Sequence, residues 1–319
     1  MRPNLPLRMT RRGRLMAGAM ITTIPAAIPA GQALAANLAD QTAVPSQVNA
    51  HRIAYNHPVV VSGSLSAVDA GHRVQLQFQP AGQKVWQWLD STTVGAHGHY
   101  RLAAPLRRSG YVRVVDLTSA GQPVPLVHAR EASAPSALEP VAVDAALRVT
   151  PRGHGALSGQ RLSLSGRLLP EVAGRVVKLE SRSGSRWTTI ANTRTGRHGG
   201  FTLRFAPAYG THSLRVRFAG DRSNTRAVAF AGTATGFEQS VASWYDDAGT
   251  TGCGFHATYG VANKSLPCGT HVTFSYGGRT VVATVDDRGP YVGGRTWDLN
   301  QNTAAALGFA GVDTVWDAY

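Results

Sequence analysis

Cysteine is nearly missing from this chain of 319 residues, which holds two, Cys253 and Cys268. A zinc centre needs more ligands than that pair offers. Adding His256 and His271 gives a Cys2His2 set, but the spacing matches no usual zinc pattern. Charge is sparse as well, at 16% Asp, Glu, Lys and Arg. No long hydrophobic run occurs: the apolar stretch Leu15–Ile28 is too short, and too broken by Pro25 and Pro29, to span a membrane. Nucleotide-binding, nucleic-acid-binding and metal-cluster motifs are missing, so neither a cofactor nor a metal is expected, and no nucleic-acid partner. With 35 glycines and 17 prolines the chain is richer in turn formers than average, yet well short of a low-complexity or collagen-like composition.

What is present is unevenly placed. Residues 236–319 hold four basic against eight acidic side chains, a balance of −4. Residues 1–235 hold 28 basic against 10 acidic, a balance of +18. The basic front is suited to polyanions, such as anionic wall polymers. Length alone points to two domains or three small ones.

The N-terminus reads as an export signal over 1–36. Arg11, Arg12 and Arg14 form a positive start, Leu15–Ile28 an apolar middle, and Ala33-Leu34-Ala35 an A-x-A cleavage site. Thr10-Arg11-Arg12 hints at a twin-arginine signal, and the choice of export route stays open. Removal of this segment leaves no membrane span and no cysteine for a lipid anchor. In an oxidising compartment Cys253 and Cys268 are expected to pair, closing a loop worth about 3 kcal/mol.

An internal repeat of about 100 residues organises the middle, the size of a duplicated domain rather than of a solenoid unit. Val61-Ser62-Gly63 matches Leu164-Ser165-Gly166, Trp86 matches Trp187, Gly95–Tyr100 matches Gly196–Phe201, and Val112-Arg113-Val114 matches Leu214-Arg215-Val216. Each copy alternates apolar and polar residues between glycine turns, the pattern of a β-sandwich. The copies resemble the immunoglobulin-like modules of bacterial surface proteins. They are placed at 48–130 and 146–234, with a linker at 131–145. Their arginine-bearing faces read either as wall adhesion or as the solvated surface of a spacer. His97 and His198 read as turn residues.

Residues 237–319 have another texture. Ser240–Tyr245 reads as a strand, and His271–Tyr276, Gly277-Gly278 and Arg279–Val285 as a hairpin. Asn302–Gly308 reads as a short helix, capped by Asn300 or Asn302 and stopped at Gly308. Val312–Trp316 reads as a last strand. Such a glycine-rich, mostly β unit suggests a closed barrel.

Four ordered motifs carry a resemblance: Ala242-Ser243-Trp244-Tyr245, Leu266-Pro267-Cys268-Gly269-Thr270, Asp287-Arg288-Gly289-Pro290-Tyr291 and Trp297-Asp298-Leu299. Together they resemble the rare lipoprotein A (RlpA)-like double-psi β-barrel, over about a quarter of the chain. The fold class expected is mainly β: two tandem immunoglobulin-like sandwiches, then a small six-stranded double-psi barrel with a short helix. The resemblance implies a secreted or wall-associated protein whose partner is the glycan strand of peptidoglycan. It implies either a lytic transglycosylase or a non-catalytic, expansin-like binder that loosens the wall.

Cleaving a glycosidic bond needs an acid for the leaving oxygen and stabilisation of a sugar cation. Asp287 and Asp298 bracket a glycine-rich loop, and by analogy Asp298 is the general acid and then base, with Asp287 orienting or stabilising. Tyr245, Tyr291 and Trp244 are candidate stacking faces for sugar rings. His256, Asn263 and Arg288 are further candidate substrate contacts. Each acid has a structural alternative, Asp287 as a turn residue and Asp298 as a buried loop-end acid, while Trp244, at a strand start, reads first as barrel core and second as a platform. Asp286 is expected to be solvated. The sequence departs from the family at Ala262-Asn263, where many relatives carry Ala-His; His256 is the candidate replacement. The acid common in the preceding segment of the family also has no clear counterpart here.

Overall fold

A computed structural model describes residues 44–117, 135–246 and 249–319. The expected export segment (1–36), the end of the first module (118–130) and the start of the linker (131–134) lie outside the described residues.

The first sandwich is built from β1 (Gln47–Val48), β2 (Arg52–Ile53), β3 (Pro58–Ser64), β4 (Arg73–Pro80), β5 (Gln87–Thr93), β6 (His99–Pro105), β7 (Gly110–Asp116) and β8 (Glu139–Val143). A three-stranded sheet, β1-β3-β6, shares one core with a five-stranded sheet, β2-β8-β7-β4-β5. Alternation drives the burial: β4 turns Val74, Leu76 and Phe78 inward and leaves Gln75, Gln77 and Gln79 on its outer face. Residues 139–143, expected in a linker, are β8, whose Val141 and Val143 are buried and complete this core.

The second sandwich uses β9 (Ala146–Val149), β10 (Arg152–Leu157), β11 (Leu162–Leu169), β12 (Val176–Ser183), β13 (Arg186–Arg194), β14 (Gly200–Phe205), β15 (Gly210–Phe218) and the first part of β16 (Ala227–Tyr245). Sheet β14-β11-β9 shares a core with sheet β13-β12-β15-β16, to which β10 adds in parallel. The duplication is visible in detail. Each copy has a bulge at the same place, between Leu76 and Gln77 and between Leu179 and Glu180. Arg113 stacks over Trp86 at 4.0 Å, and Arg215 stacks over Trp187 at 4.2 Å. The two sandwiches join through polar groups: the buried Asn224 donates from Nδ2 to the Arg107 carbonyl (3.0 Å), and the half-buried Ser109 N–H donates to the Ser223 carbonyl (2.7 Å).

The last unit adds β17 (Gly260–Ala262), β18 (His271–Tyr276), β19 (Arg279–Asp287), β20 (Trp297–Asn300), α1 (Gln301–Leu307) and β21 (Asp313–Ala318). Hydrogen-bonded neighbours run β16-β20-β17-β19-β18-β21, and β21 returns to β16 over Glu238–Ala242. Six strands thus close into a barrel, thinnest at β17, which contributes three residues. Two pairs, β16–β20 and β17–β19, are parallel, so this is not an up-and-down barrel. Gly277 and Gly278 both sit at positive φ and make the two-residue hairpin turn. Asn300 caps α1 by accepting the Thr303 N–H (2.9 Å), and Gly308 ends it at φ 68°. Phe274 and Trp297 meet edge to face at 5.1 Å in the core, each burial worth about 1.5–3 kcal/mol.

No linker separates this barrel from the sandwich before it. β16 runs unbroken for 19 residues, pairing with β15 and β10 in the sandwich and with β20 and β21 in the barrel.

Candidate active site

β17 is the middle of three strands. Its Ala262 pairs with Asp287 of β19 on one side and with Asp298 of β20 on the other. Directly opposed residues share a face of a sheet, so both carboxylates lie on one face, flanking Ala262. Two strand spacings separate them, about 10 Å between Cα atoms. The neighbours Val261, Val285 and Leu299 point the other way, into the core. Both acids are half-buried and reach solvent.

A bulge sets this arrangement. Val261 pairs with Val285, but the next residue, Ala262, pairs with Asp287, leaving Asp286 as the extra residue. The bulge re-aims Asp287 outward and turns Asp286 away. Asp286, expected to be solvated, is instead completely buried, and its Oδ2 accepts the Ala257 N–H at 2.8 Å. Gly260 makes room for it, since a Cβ there would meet that oxygen at 2.2 Å.

The partners of the two acids differ in kind. Asp298 Oδ1 accepts from Ser243 Oγ at 2.7 Å, and Ser243 is its β16 neighbour in the register. A hydroxyl can donate or accept, so it remains a partner whether the carboxyl carries a proton or not. Asp287 Oδ1 accepts two backbone N–H groups, from Gly252 at 2.6 Å and from Arg288 at 2.7 Å. Those groups can only donate, so they hold Asp287 as a fixed acceptor.

The wall beside Asp287 is cross-braced. A disulfide joins Cys253 to Cys268 and so ties the loop carrying Gly252 to the loop before β18. The cysteines that a zinc site would need are consumed in that bond. The Arg288 guanidinium donates to the carbonyls of Asn263 (3.1 Å) and Leu266 (2.8 Å) and to Cys268 Sγ (2.8 Å). Asn263 is buried; its Oδ1 accepts the N–H groups of Ser265 (3.1 Å) and Leu266 (2.9 Å), and its Nδ2 donates to the Thr296 carbonyl (3.3 Å). Both side chains, expected at the substrate, spend these donors and acceptors on their own chain and shape the wall.

Among the aromatic candidates, Tyr291 is 83% exposed in the loop after Asp287. Tyr245 lies two residues beyond Ser243, on the acid-bearing face, and is half-buried. Trp244 pairs with Leu299 and so belongs to the core-facing side, yet at the strand end it is 44% exposed, at the mouth rather than inside. His256 is exposed on the loop that carries Gly252. Phe255 and Tyr259, at 41% and 44% exposure, sit on the same loop and escaped the sequence reading. Two aromatics within five residues after Gly254 were the signal available.

One further acid is unusual. Asp317 of β21 is buried, with its Oδ1 accepting from Trp297 Nε1 and Ser240 Oγ, each at 2.8 Å. Burial pushes its carboxyl above the ordinary range and nearby Glu238 adds to this, while the two donors pull it down. Among the described residues no cluster of three or more His, Cys, Asp and Glu could hold a metal ion, and no helix is long and apolar enough to cross a membrane.

Comparison with known proteins falls on this barrel. A double-psi barrel family model described as "Lytic transglycolase" matches residues 238–315. Over 82 residues the chain is 37% identical to a protein of Synechocystis sp. named "Probable endolytic peptidoglycan transglycosylase RlpA", covering 21% of this chain and 24% of that protein. A Nostoc sp. protein of the same name is 46% identical over 52 residues, 16% of this chain and 14% of its own. The chain thus spans a quarter or less of the length of these relatives. Residues 238–315 form an RlpA-like double-psi barrel.

Proposed function

We propose that the barrel binds the glycan strands of peptidoglycan and cleaves them as a lytic transglycosylase, a carbon–oxygen lyase. The observation that carries this reading is that Asp287 and Asp298, both half-buried, share one face either side of Ala262. In this reading the protonated Asp298 gives its proton to the glycosidic oxygen as the C1–O bond breaks. Asp287, held as an acceptor by two N–H groups, offsets the positive charge developing on the sugar. The C6 hydroxyl of the N-acetylmuramic acid then bonds to C1, and its proton passes to Asp298. The product is a 1,6-anhydro sugar, no water is consumed, and the acid is regenerated. Tyr291 and Tyr245 supply faces for neighbouring sugar rings. Residues 1–36 direct export, so that the protein acts at the wall, and the two sandwiches tether or space the barrel.

Incubating the full chain with purified peptidoglycan, followed by mass spectrometry of the released material, tests this directly. Anhydro-muropeptides that vanish in Asp298→Asn support cleavage. A second reading, an expansin-like binder without cleavage, draws on Asn263: it stands where many relatives carry histidine, and its amide is committed to the loop. Sedimentation with peptidoglycan and no released product would overturn the enzyme reading in favour of the binder.

A further inference from the structure

The two sandwiches are copies of one fold, which makes each a control for the other. Across the outer face of the first, Gln77 of β4 lies between Trp88 of β5 and Arg113 of β7. One step along, Gln79 pairs with Tyr111. After the matching bulge in the second sandwich, Glu180 lies between Thr189 and Arg215. Trp88 therefore corresponds to Thr189 and Gln77 to Glu180; because Val112 corresponds to Leu214, Tyr111 corresponds to Ser213. The stacked Arg–Trp pair occurs in both copies and belongs to the scaffold. The fold does not require the extra aromatics, since the sister copy builds the same bulge without them.

Those aromatics are conspicuously open. Trp88 is 65% exposed and Tyr111 is 44% exposed, while Trp86 lies half-buried beside them under Arg113. The amides between them are already ordered: Arg113 Nε donates to Gln77 Oε1 at 2.9 Å, and Gln77 Nε2 donates to Gln75 Oε1 at 2.7 Å. The rows through Gln75, Gln77 and Gln79 hold no carboxylate among the described residues; Arg113 is tied to Gln77 and Trp86, and Arg73, next along β4, donates to Ser91 of the Gln75 row. Flat aromatic faces beside uncharged donors and acceptors complement the apolar ring face, hydroxyls and acetamido groups of an N-acetylated sugar. Immobilising Trp and Tyr costs little side-chain entropy, which suits them as anchors.

We propose that this face is a second glycan-binding site, a platform on which Trp88 and Tyr111 stack sugar rings while Gln75 and Gln77 bond their polar groups. The occupant is a strand of N-acetylated hexoses; naming wall glycan as its source rests on the reading of the barrel. Two sites on one chain, each engaging the same long polymer, raise retention without either binding tightly.

The double variant Trp88→Thr, Tyr111→Ser in the full chain installs the residues of the sister module. Its sedimentation with peptidoglycan is expected to weaken at least tenfold, with its melting temperature close to that of the parent. The N-acetylglucosamine hexamer is expected to quench the tryptophan fluorescence of the parent, and this second readout does not depend on the variant folding. Unchanged sedimentation of the double variant, or no quenching in the parent, overturns the proposal. So does a loss of binding that is equal for heparin and is abolished in both proteins by raised salt, which marks a polyanion surface. If neither protein releases anhydro product but sedimentation still depends on Trp88 and Tyr111, the enzyme reading fails and the platform stands.

Discussion

Gly252 gives its backbone N–H to Asp287 at 2.6 Å, and it can do so because it has no side chain: a Cβ there would meet Arg288 Cγ at 2.8 Å and the Arg288 backbone nitrogen at 3.1 Å. The position of the acid and the absence of an atom in the loop before β17 are one fact. Gly252→Ala is therefore expected to push the Arg288 stem and this loop apart and to loosen Asp287. Release of anhydro product should fall about tenfold to a hundredfold, as misplacing a reacting group does. Assay by mass spectrometry, paired with a thermal melt, checks this; unchanged release would show that the Gly252 contact is dispensable.

The disulfide holds the same loop from its other side. Cys253→Ser with Cys268→Ser should lower unfolding stability by about 3 kcal/mol, from loop-closure entropy over a sequence separation of 15. A urea titration reads that loss. Product release should fall with it, because Gly252 adjoins Cys253 and depends on the tether.

Asp317 makes stability depend on pH in a defined direction. Its folded-state carboxyl is raised above the ordinary 3.8 by burial, so the folded chain holds this proton more tightly than the unfolded chain does. Its contribution to stability therefore falls as pH rises from 3.8 through the folded value. Asp317→Asn keeps an oxygen for Trp297 and Ser240 but cannot ionise. Melting temperatures measured from acid to neutral pH should show the parent losing ground to the variant as pH rises, and parallel curves would refute the assignment.

Arg175 and Asp221 work with the opposite sign. The buried Arg175 donates from Nε and Nη2 to the two oxygens of Asp221 at 3.0 and 3.1 Å and lies over Phe218 at 4.4 Å. Partial burial of Asp221 works to raise its carboxyl, but the bonds from Arg175 and from the Ser223 and Asn224 N–H groups outweigh that and hold it below its ordinary value. Its stabilisation is present above 3.8 and is lost as pH falls through the folded value. Arg175→Ala should cost about 2–4 kcal/mol, less than a fully buried pair because Asp221 keeps contact with water. Denaturant unfolding at neutral and acid pH tests both the size and the sign.

Much of the barrel could be read from local chemistry. The Gly277-Gly278 turn and the Gly308 stop each depend on a few adjacent residues, so sequence sufficed; it narrowed the cap to Asn300 or Asn302, and the structure gives Asn300. The repeat was legible for the same reason, since matched turns and strands recur at one spacing. What the sequence hid depends on pairing between distant segments. Nothing local tells Asp286 from Asp287; a bulge against β17 buries one and exposes the other. Asn263 and Arg288 look like polar contacts for a ligand; the sequence could not show that they also bond main-chain groups and, for Arg288, Cys268 Sγ, partners that only the folded loops bring near. Gly232 and Gly236 resemble strand breakers. They sit inside β16 because other backbones cross there, the Arg152 and Ala208 carbonyls lying 1.9 and 2.0 Å from where a Cβ would be.

That uninterrupted β16 leaves no swivel between the second sandwich and the barrel. A tug on the sandwich reaches the barrel through the covalent main chain of β16, whose sandwich pairing ends at Gly236 and Phe237 just as its barrel pairing begins at Glu238, so the barrel turns only when the sandwich turns. On the proposed reading, the place where the sandwiches hold the polymer governs the angle at which the barrel meets it.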